Sequence, residues 1–298
     1  MAEPVTRSLR TSRLEIETLE WHPQGERAVV LVHGWPDAPR TWFAIVPALV
    51  RAGYRVLAPA LRGYGGTRFL DPATPRSGEL TALGRDLIEF VEALQLDRPA
   101  LVGHDWGARA VAIAAGLEPG LASHLAMLAV GYGTNHASQA LSFEQAHAYW
   151  YHWFMATPLG EKTVRADPIG FARTMWQLWS PPGWYDEAEF AATAQAFANP
   201  DWIEITLHCY RERWGHAEGD PHYAADAAAL TPLPVIATPM LVIHGAVDAV
   251  NPPASSAGKE AWFSGPYRRI VLDGVGHFPQ REAQQAVADA LRDFLAST

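Results

Sequence analysis

The sequence carries a single cysteine, Cys209. One thiol cannot build an intrachain disulfide framework or a cysteine-rich zinc site. No run of about 18 or more apolar residues occurs, so nothing reads as a membrane-spanning helix. The opening MAEPVTRSLR lacks the apolar stretch of a secretory leader, and a cytoplasmic address is the expectation. Basic residues never cluster, and 23 Lys and Arg against 32 Asp and Glu leave a formal net charge of −9. That balance argues against nucleic acid and anionic membrane surfaces as partners. Metal-ligand spacings, nucleotide-binding glycine fingerprints and internal repeats are missing as well, so no metal and no cofactor is expected.

What is present is a large apolar fraction, 49%, against 18% charged residues, over 298 residues. These values suit one globular core with an inserted module. Short apolar runs alternate with helical patterns at both ends of the chain. LEIETLEW, RAVVLVHG, YRVLAPAL, PALVGHD, HLAMLAVG, TPMLVIHG and YRRIVLDG read as strands. TWFAIVPALVRAG, LTALGRDLIEFVEAL, the stretch after GHDWG and REAQQAVADALRDFLA read as helices. Such alternation predicts an α/β fold with a mainly parallel sheet and helices on both faces. From about residue 135 to 230 the texture becomes aromatic and helical, and this stretch holds many of the twelve tryptophans. The division expected is core over 1–134, helical cap over 135–230 and core again over 231–298. Ligands of such sheets bind outside the carboxyl ends of the strands, where a cap would close a site.

The segment ALVGHDWGARAVAIAAGL reads as a strand, a glycine-tight turn and a helix, with Asp105 at the tip. Gly103 and Gly107 give such a turn its room, and the helix N-terminus beyond it supplies free N–H groups. Asp105 in this position is either an N-cap or a nucleophile. LVHGWP follows a buried strand upstream. There the Trp35 N–H, with the N–H of Trp106, could form a two-donor oxyanion hole. Downstream, Asp248 follows the strand LVIHG and His277 follows the last strand in LDGVGHFP. Nucleophile, acid, then histidine is the chain order of α/β-hydrolases. The serine motif G-x-S-x-G does not occur.

HGWP, GHDWG and GVGHFP together resemble the epoxide hydrolase and dehalogenase branch of the α/β-hydrolases, and the likeness runs along essentially the whole chain. It implies the α/β-hydrolase fold and attack by Asp105 on an electrophilic carbon to give an alkyl ester. His277, oriented by Asp248, would then activate water to hydrolyse it. A carboxylate suits the first step because it is ionised at neutral pH without a base. Epoxide hydrolases of this branch donate to the departing ring oxygen from two cap tyrosines. Tyr151, seven residues before Pro158, and Tyr210, in CYR, match those places; Tyr149 rivals the first.

Two alternatives share the nucleophile. Haloalkane dehalogenases hold halide with the tryptophan after the nucleophile, here Trp106, and often an Asn after His-Gly, where this chain has Trp35. Fluoroacetate-type enzymes clamp a carboxylate with two arginines, of which only Arg109 is matched, and they carry a cap His-Trp pair resembling His152-Trp153. Arg109, Trp106, Tyr149, His152 and Trp153 are therefore candidate substrate contacts. A non-catalytic binding protein on the same scaffold is the reading from another class, disfavoured because Asp105, Asp248 and His277 are all intact. The expected partner is a small, apolar or aromatic epoxide, and a homodimer is kept in view. The acid usual before RGYG in this branch is replaced by Ala60, whose expected effect is a loop with fewer ordering contacts.

Overall fold

The computed structural model describes residues 3–135 and 138–297. Residues 1, 2, 136, 137 and 298 of the expected divisions lie outside them. Among the described residues nine strands form one sheet: β1 Val5–Arg10, β2 Leu14–Trp21, β3 Arg27–Val32, β4 Tyr54–Pro59, β5 Arg68–Phe69, β6 Ala100–His104, β7 His124–Leu128, β8 Met240–Gly245 and β9 Tyr267–Leu272. Its order is β1-β2-β4-β3-β6-β7-β8-β9, with the short β5 pairing β2. All pairs from β4 through β3 to β9 are parallel, whereas β1, β2 and β5 pair antiparallel. β1 is mostly exposed and lacks an apolar face, which is why no strand was legible there.

The central strands are buried on both faces, and alternate residues feed two separate cores. Val30, Val32, Leu101, Leu125, Met127 and Val242 face one core. Val29, Leu31, Val102, Ala126, Leu128 and Ile243 face the other. Helices α1 Val46–Arg51, α2 Leu80–Ala93 and α3 Trp106–Leu117 belong to the first part of the chain. The helical run expected over residues 41–53 is shorter than its pattern. It is a 3₁₀ turn, Pro39–Trp42, followed by α1, which begins around Pro47 as proline at a first helical turn allows.

Between β7 and β8 lie α4 Phe143–Ala148, α5 Trp150–Ala156, α6 Pro158–Ala166, α7 Pro168–Trp179, α8 Glu187–Ala194, α9 Trp202–Glu212 and α10 Ala224–Ala229. Ser142, Thr157, Asp167 and Asp186 cap α4, α6, α7 and α8 through their side chains. After β9 come α11 Pro279–Glu282 and α12 Gln284–Leu295. The apolar residues of α7, α8 and α9 merge with the first sheet face into one core. No helix among the described residues is long and apolar enough to cross a membrane.

The RGYG loop is ordered despite Ala60. Arg62 is buried, donates twice to Asp86 at 2.6 Å, and also reaches Ser77 O and Tyr223 Oη at 2.8 Å. Thr67 Oγ1 donates to Ala60 O at 2.8 Å. Other contacts therefore tie down a loop expected to be weakened.

Candidate active site

Asp105 sits between β6 and α3 with φ 49° and ψ −112°. A non-glycine residue at positive φ is strained, and such strain persists only where surrounding structure fixes it. A Cβ on Gly107 would lie 2.2 Å from Val32 O, so only glycine lets α3 approach β3 closely enough to form this turn. The Asp105 side chain makes no capping hydrogen bond. That removes the N-cap reading and leaves the carboxylate free for other contacts.

Oδ1 of Asp105 accepts the Trp35 backbone N–H at 2.9 Å. Trp106 supplies the first amide of α3, which has no acceptor within its own helix. Oδ2 lies 3.8 Å from His277 Nε2. On the other side of that ring, Nδ1–H donates to Asp248 Oδ2 at 2.9 Å. Asp248 Oδ1 accepts the amides of Val250 at 2.9 Å and Asn251 at 2.8 Å, so the loop after β8 fixes the carboxylate. With its proton on Nδ1, neutral His277 turns a lone pair toward Asp105, and its Nε2 is buried without a hydrogen-bond partner among the described residues. Burial alone would lower the His277 pKa. Asp248, and then Asp105, outweigh it and hold the ring above the ordinary histidine value. Asp248 itself is drawn down to about 2: burial opposes this, but His277 and His244 prevail.

The aromatic residues separate on inspection of the helices. On α5, Tyr151 and His152 are buried, whereas Trp153 is partly exposed and donates to Ala146 O. Tyr151 stacks on Trp35 with ring centroids 5.7 Å apart and meets Tyr210 edge-on at 5.2 Å. Tyr210 also packs on Trp35 and Trp106, at 5.1 and 5.7 Å. Burial pushes both phenols well above the ordinary tyrosine range, so both are O–H donors at neutral pH. Tyr149 is elsewhere engaged: its Oη lies 2.6 Å from Asn135 Oδ1 and 2.7 Å from Asn251 Oδ1. Trp153 contacts His152 and Trp214 and lies outside this ring of aromatics.

Trp35 is the hub of the cluster, fully buried, with its indole N–H donated to Thr206 Oγ1 at 3.0 Å. Trp106 Nε1 is buried without a partner among the described residues. Arg109, one turn beyond Asp105, is buried and donates to Thr134 O at 2.8 Å.

Two residues, Ser180 and Arg213, escaped the sequence reading, and a third, Trp179, was legible only as one of many cap aromatics. Trp179, at the end of α7, packs edge-on against His277 at 4.9 Å. Ser180 Oγ accepts the His277 amide at 2.9 Å and donates to Glu282 at 2.6 Å. Arg213 lies 5.1 Å over the Tyr210 ring and is buried. Helical spacing could have found it, since Trp202, Thr206 and Tyr210 share one stripe of α9 and Arg213, its helical C-terminal cap, continues that stripe whereas Arg211 does not. Nothing local marks Ser180, or singles out Trp179 from the other cap aromatics as the one against His277.

A family model of the alpha/beta hydrolase fold matches residues 27–284. Epoxide hydrolase A of Mycobacterium tuberculosis strain H37Rv is 30% identical over 322 residues, spanning 99% of this chain and 98% of the relative. An epoxide hydrolase of Caballeronia sordidicola is 27% identical over 90% of this chain and 87% of its own. The crystal structure of a candidate epoxide hydrolase from Klebsiella pneumoniae superposes with a TM-score of 0.92 at 35% identity, covering 97% of this chain and 96% of that one. By these matches and its sheet order, the chain is a hydrolase of the α/β-hydrolase fold family and belongs with the epoxide hydrolases within it.

Proposed function

We propose that this hydrolase opens epoxides to vicinal diols through an ester on Asp105, under a cap formed by residues 135–230. The observation that carries the reading is that two buried tyrosines, Tyr151 and Tyr210, pack on Trp35 and Trp106, the residues that flank Asp105, beside an Asp–His–Asp line whose Oδ2 is held by no amide among the described residues. Oδ1 is held by the Trp35 amide, so Oδ2 is the oxygen that attacks the less hindered ring carbon. The carbon–oxygen bond of the ring breaks as Tyr151 or Tyr210 gives its proton to the leaving oxygen. Alkylation then cancels the Asp105 charge. That charge is one of those raising His277, so the imidazole becomes neutral more readily once the ester exists. Nε2 takes a proton from water, the hydroxide adds to Cγ of Asp105, and the amides of Trp35 and Trp106 receive the developing oxyanion. Collapse expels the second diol oxygen, which takes the proton held on His277, and the proton of the re-formed Asp105 carboxyl passes to the tyrosinate, so the diol leaves with carboxylate, neutral imidazole and phenol restored.

A haloalkane dehalogenase needs two N–H donors converging on halide. Trp106 Nε1 is free, but the indole of Trp35 is committed to Thr206. The aromatic lining favours an aryl-bearing epoxide.

The test is to trap the ester. His277→Gln incubated with styrene oxide should gain the mass of one substrate molecule on the peptide holding Asp105, and Asp105→Asn should be inactive without an adduct. Turnover by both variants at the wild-type rate would overturn the mechanism.

A further inference from the structure

Beside Asp105 lies a group of buried hydrogen-bond donors that ring opening does not use. Arg109 and Arg213 are 6% and 8% exposed, and neither has a carboxylate within 4 Å among the described residues. Arg109 Nη1 donates to Thr134 O, and among the described residues Arg213 Nη2 reaches only the Cys209 sulfur at 3.2 Å. Among the described residues the Nε of each is buried without a partner. His152 adds a third donor. The indole N–H of Trp214 can only donate, so His152 Nδ1 accepts it at 2.9 Å, and the proton of the neutral ring must sit on Nε2. That Nε2 is also buried and unpartnered.

The group is adjacent to the proposed reacting atoms. Arg213 lies over the Tyr210 ring, the His152 ring lies 4.5 Å from that same ring, and the Tyr151 ring lies 4.2 Å from His152. Arg109 is one helical turn beyond Asp105. Burial, and then the Arg213 guanidinium, lower the Arg109 pKa, as two cations sharing a site require. Both arginines feel the Asp105 carboxylate. Esterification would remove that charge and leave two buried cations without it. A buried charge left unpaired is strongly unfavourable, so an anion supplied with the substrate would keep the site balanced through both half-reactions. Donors without acceptors select an anion, and the planar fork of arginine matches a carboxylate.

We propose that Arg109, Arg213 and His152 form a carboxylate subsite next to Asp105, and that the substrate is an epoxide bearing a carboxylate, of the 3-aryl-oxirane-2-carboxylate kind. The substrate class rests on the epoxide reading above; the subsite itself does not.

Binding separates the two. Wild-type protein is titrated calorimetrically with 3-phenylpropanoate and with 3-phenylpropanamide, which differ only in the charged group. The acid should bind at least tenfold tighter. Arg213→Met and Arg109→Met should each reduce that preference to below threefold, and Arg213→Lys should recover part of it. Affinities within twofold of each other in the wild type, or no measurable binding of the acid, overturn the proposal whether or not any variant folds. So does a folded Arg213→Met that keeps the full preference. For turnover, 3-phenyloxirane-2-carboxylate should show a KM at least tenfold below that of its amide, and Arg213→Met should collapse that ratio. A variant that lowers kcat for both substrates and leaves the ratio intact would assign the arginines to ring opening and sink the subsite. Acid preference without any epoxide turnover would overturn the mechanism and keep the subsite. Turnover of styrene oxide without acid preference would do the reverse.

Discussion

Tyr149 and Tyr151 stand two residues apart in one aromatic run, and helical geometry sends them to different partners. Tyr149 is held between Asn135 and Asn251, while Tyr151 stacks on Trp35 beside Tyr210. Tyr151→Phe and Tyr210→Phe should therefore each slow ester formation by about 100-fold or more, the usual loss of a general acid, measured in single turnover. Tyr149→Phe should slow it far less. The His277–Asp248 pair sets the pH profile. His277 must be neutral to accept a proton, and its pKa is raised, so kcat should climb as pH rises through that value. Replacing Asp248 by Asn removes the main charge raising it. The acid limb of the kcat profile should then move to lower pH while kcat itself falls on the order of 10⁴-fold, as in other histidine–aspartate pairs. An unshifted limb would remove His277 as the base.

At the scale of elements, the elbow between β6 and α3 was legible because it is local: five consecutive residues, GHDWG, encode strand end, strained turn and helix start. Docking of α8 onto the core was not legible, because it depends on residues far apart in sequence. Arg281, from α11, donates to Asp37 at 2.6 and 3.1 Å and to Glu189 of α8 at 2.6 Å. Glu189 also accepts from Arg40 at 3.0 Å. Asp37 is fully buried, so breaking this pair leaves an uncompensated charge. Arg281→Ala should destabilise the protein by about 3–5 kcal/mol. Glu189→Ala, at the exposed end of the same network, should cost below about 1 kcal/mol. Thermal or urea unfolding of the two variants checks the contrast.

Across the whole molecule, the helical segment and the sheet share one hydrophobic core rather than meeting at a separable interface. Trp35 comes from the loop after β3, yet it is packed by Tyr151, Phe171, Trp179, Trp202 and Tyr210 of the helical segment. Replacing residues 135–230 with a short glycine–serine linker would uncover Trp35 and Trp106. The expected product binds the dye ANS and melts without a cooperative transition; a sharp melt without dye binding would show that the sheet folds alone.

The α/β alternation, the elbow and the order Asp105, Asp248, His277 are written in the chain itself, because each depends on neighbours in sequence or on strand ends. Packing settled that Tyr151 rather than Tyr149 lies on Trp35 beside Tyr210, that Trp35 gives its amide to Asp105 and its indole to Thr206, and that among the described residues Arg213 is buried with no carboxylate beside it. Those outcomes turn on helix rotation and on contacts between residues up to 171 positions apart. GHDWG contains the turn that presents Asp105; what surrounds the carboxylate is assembled by packing.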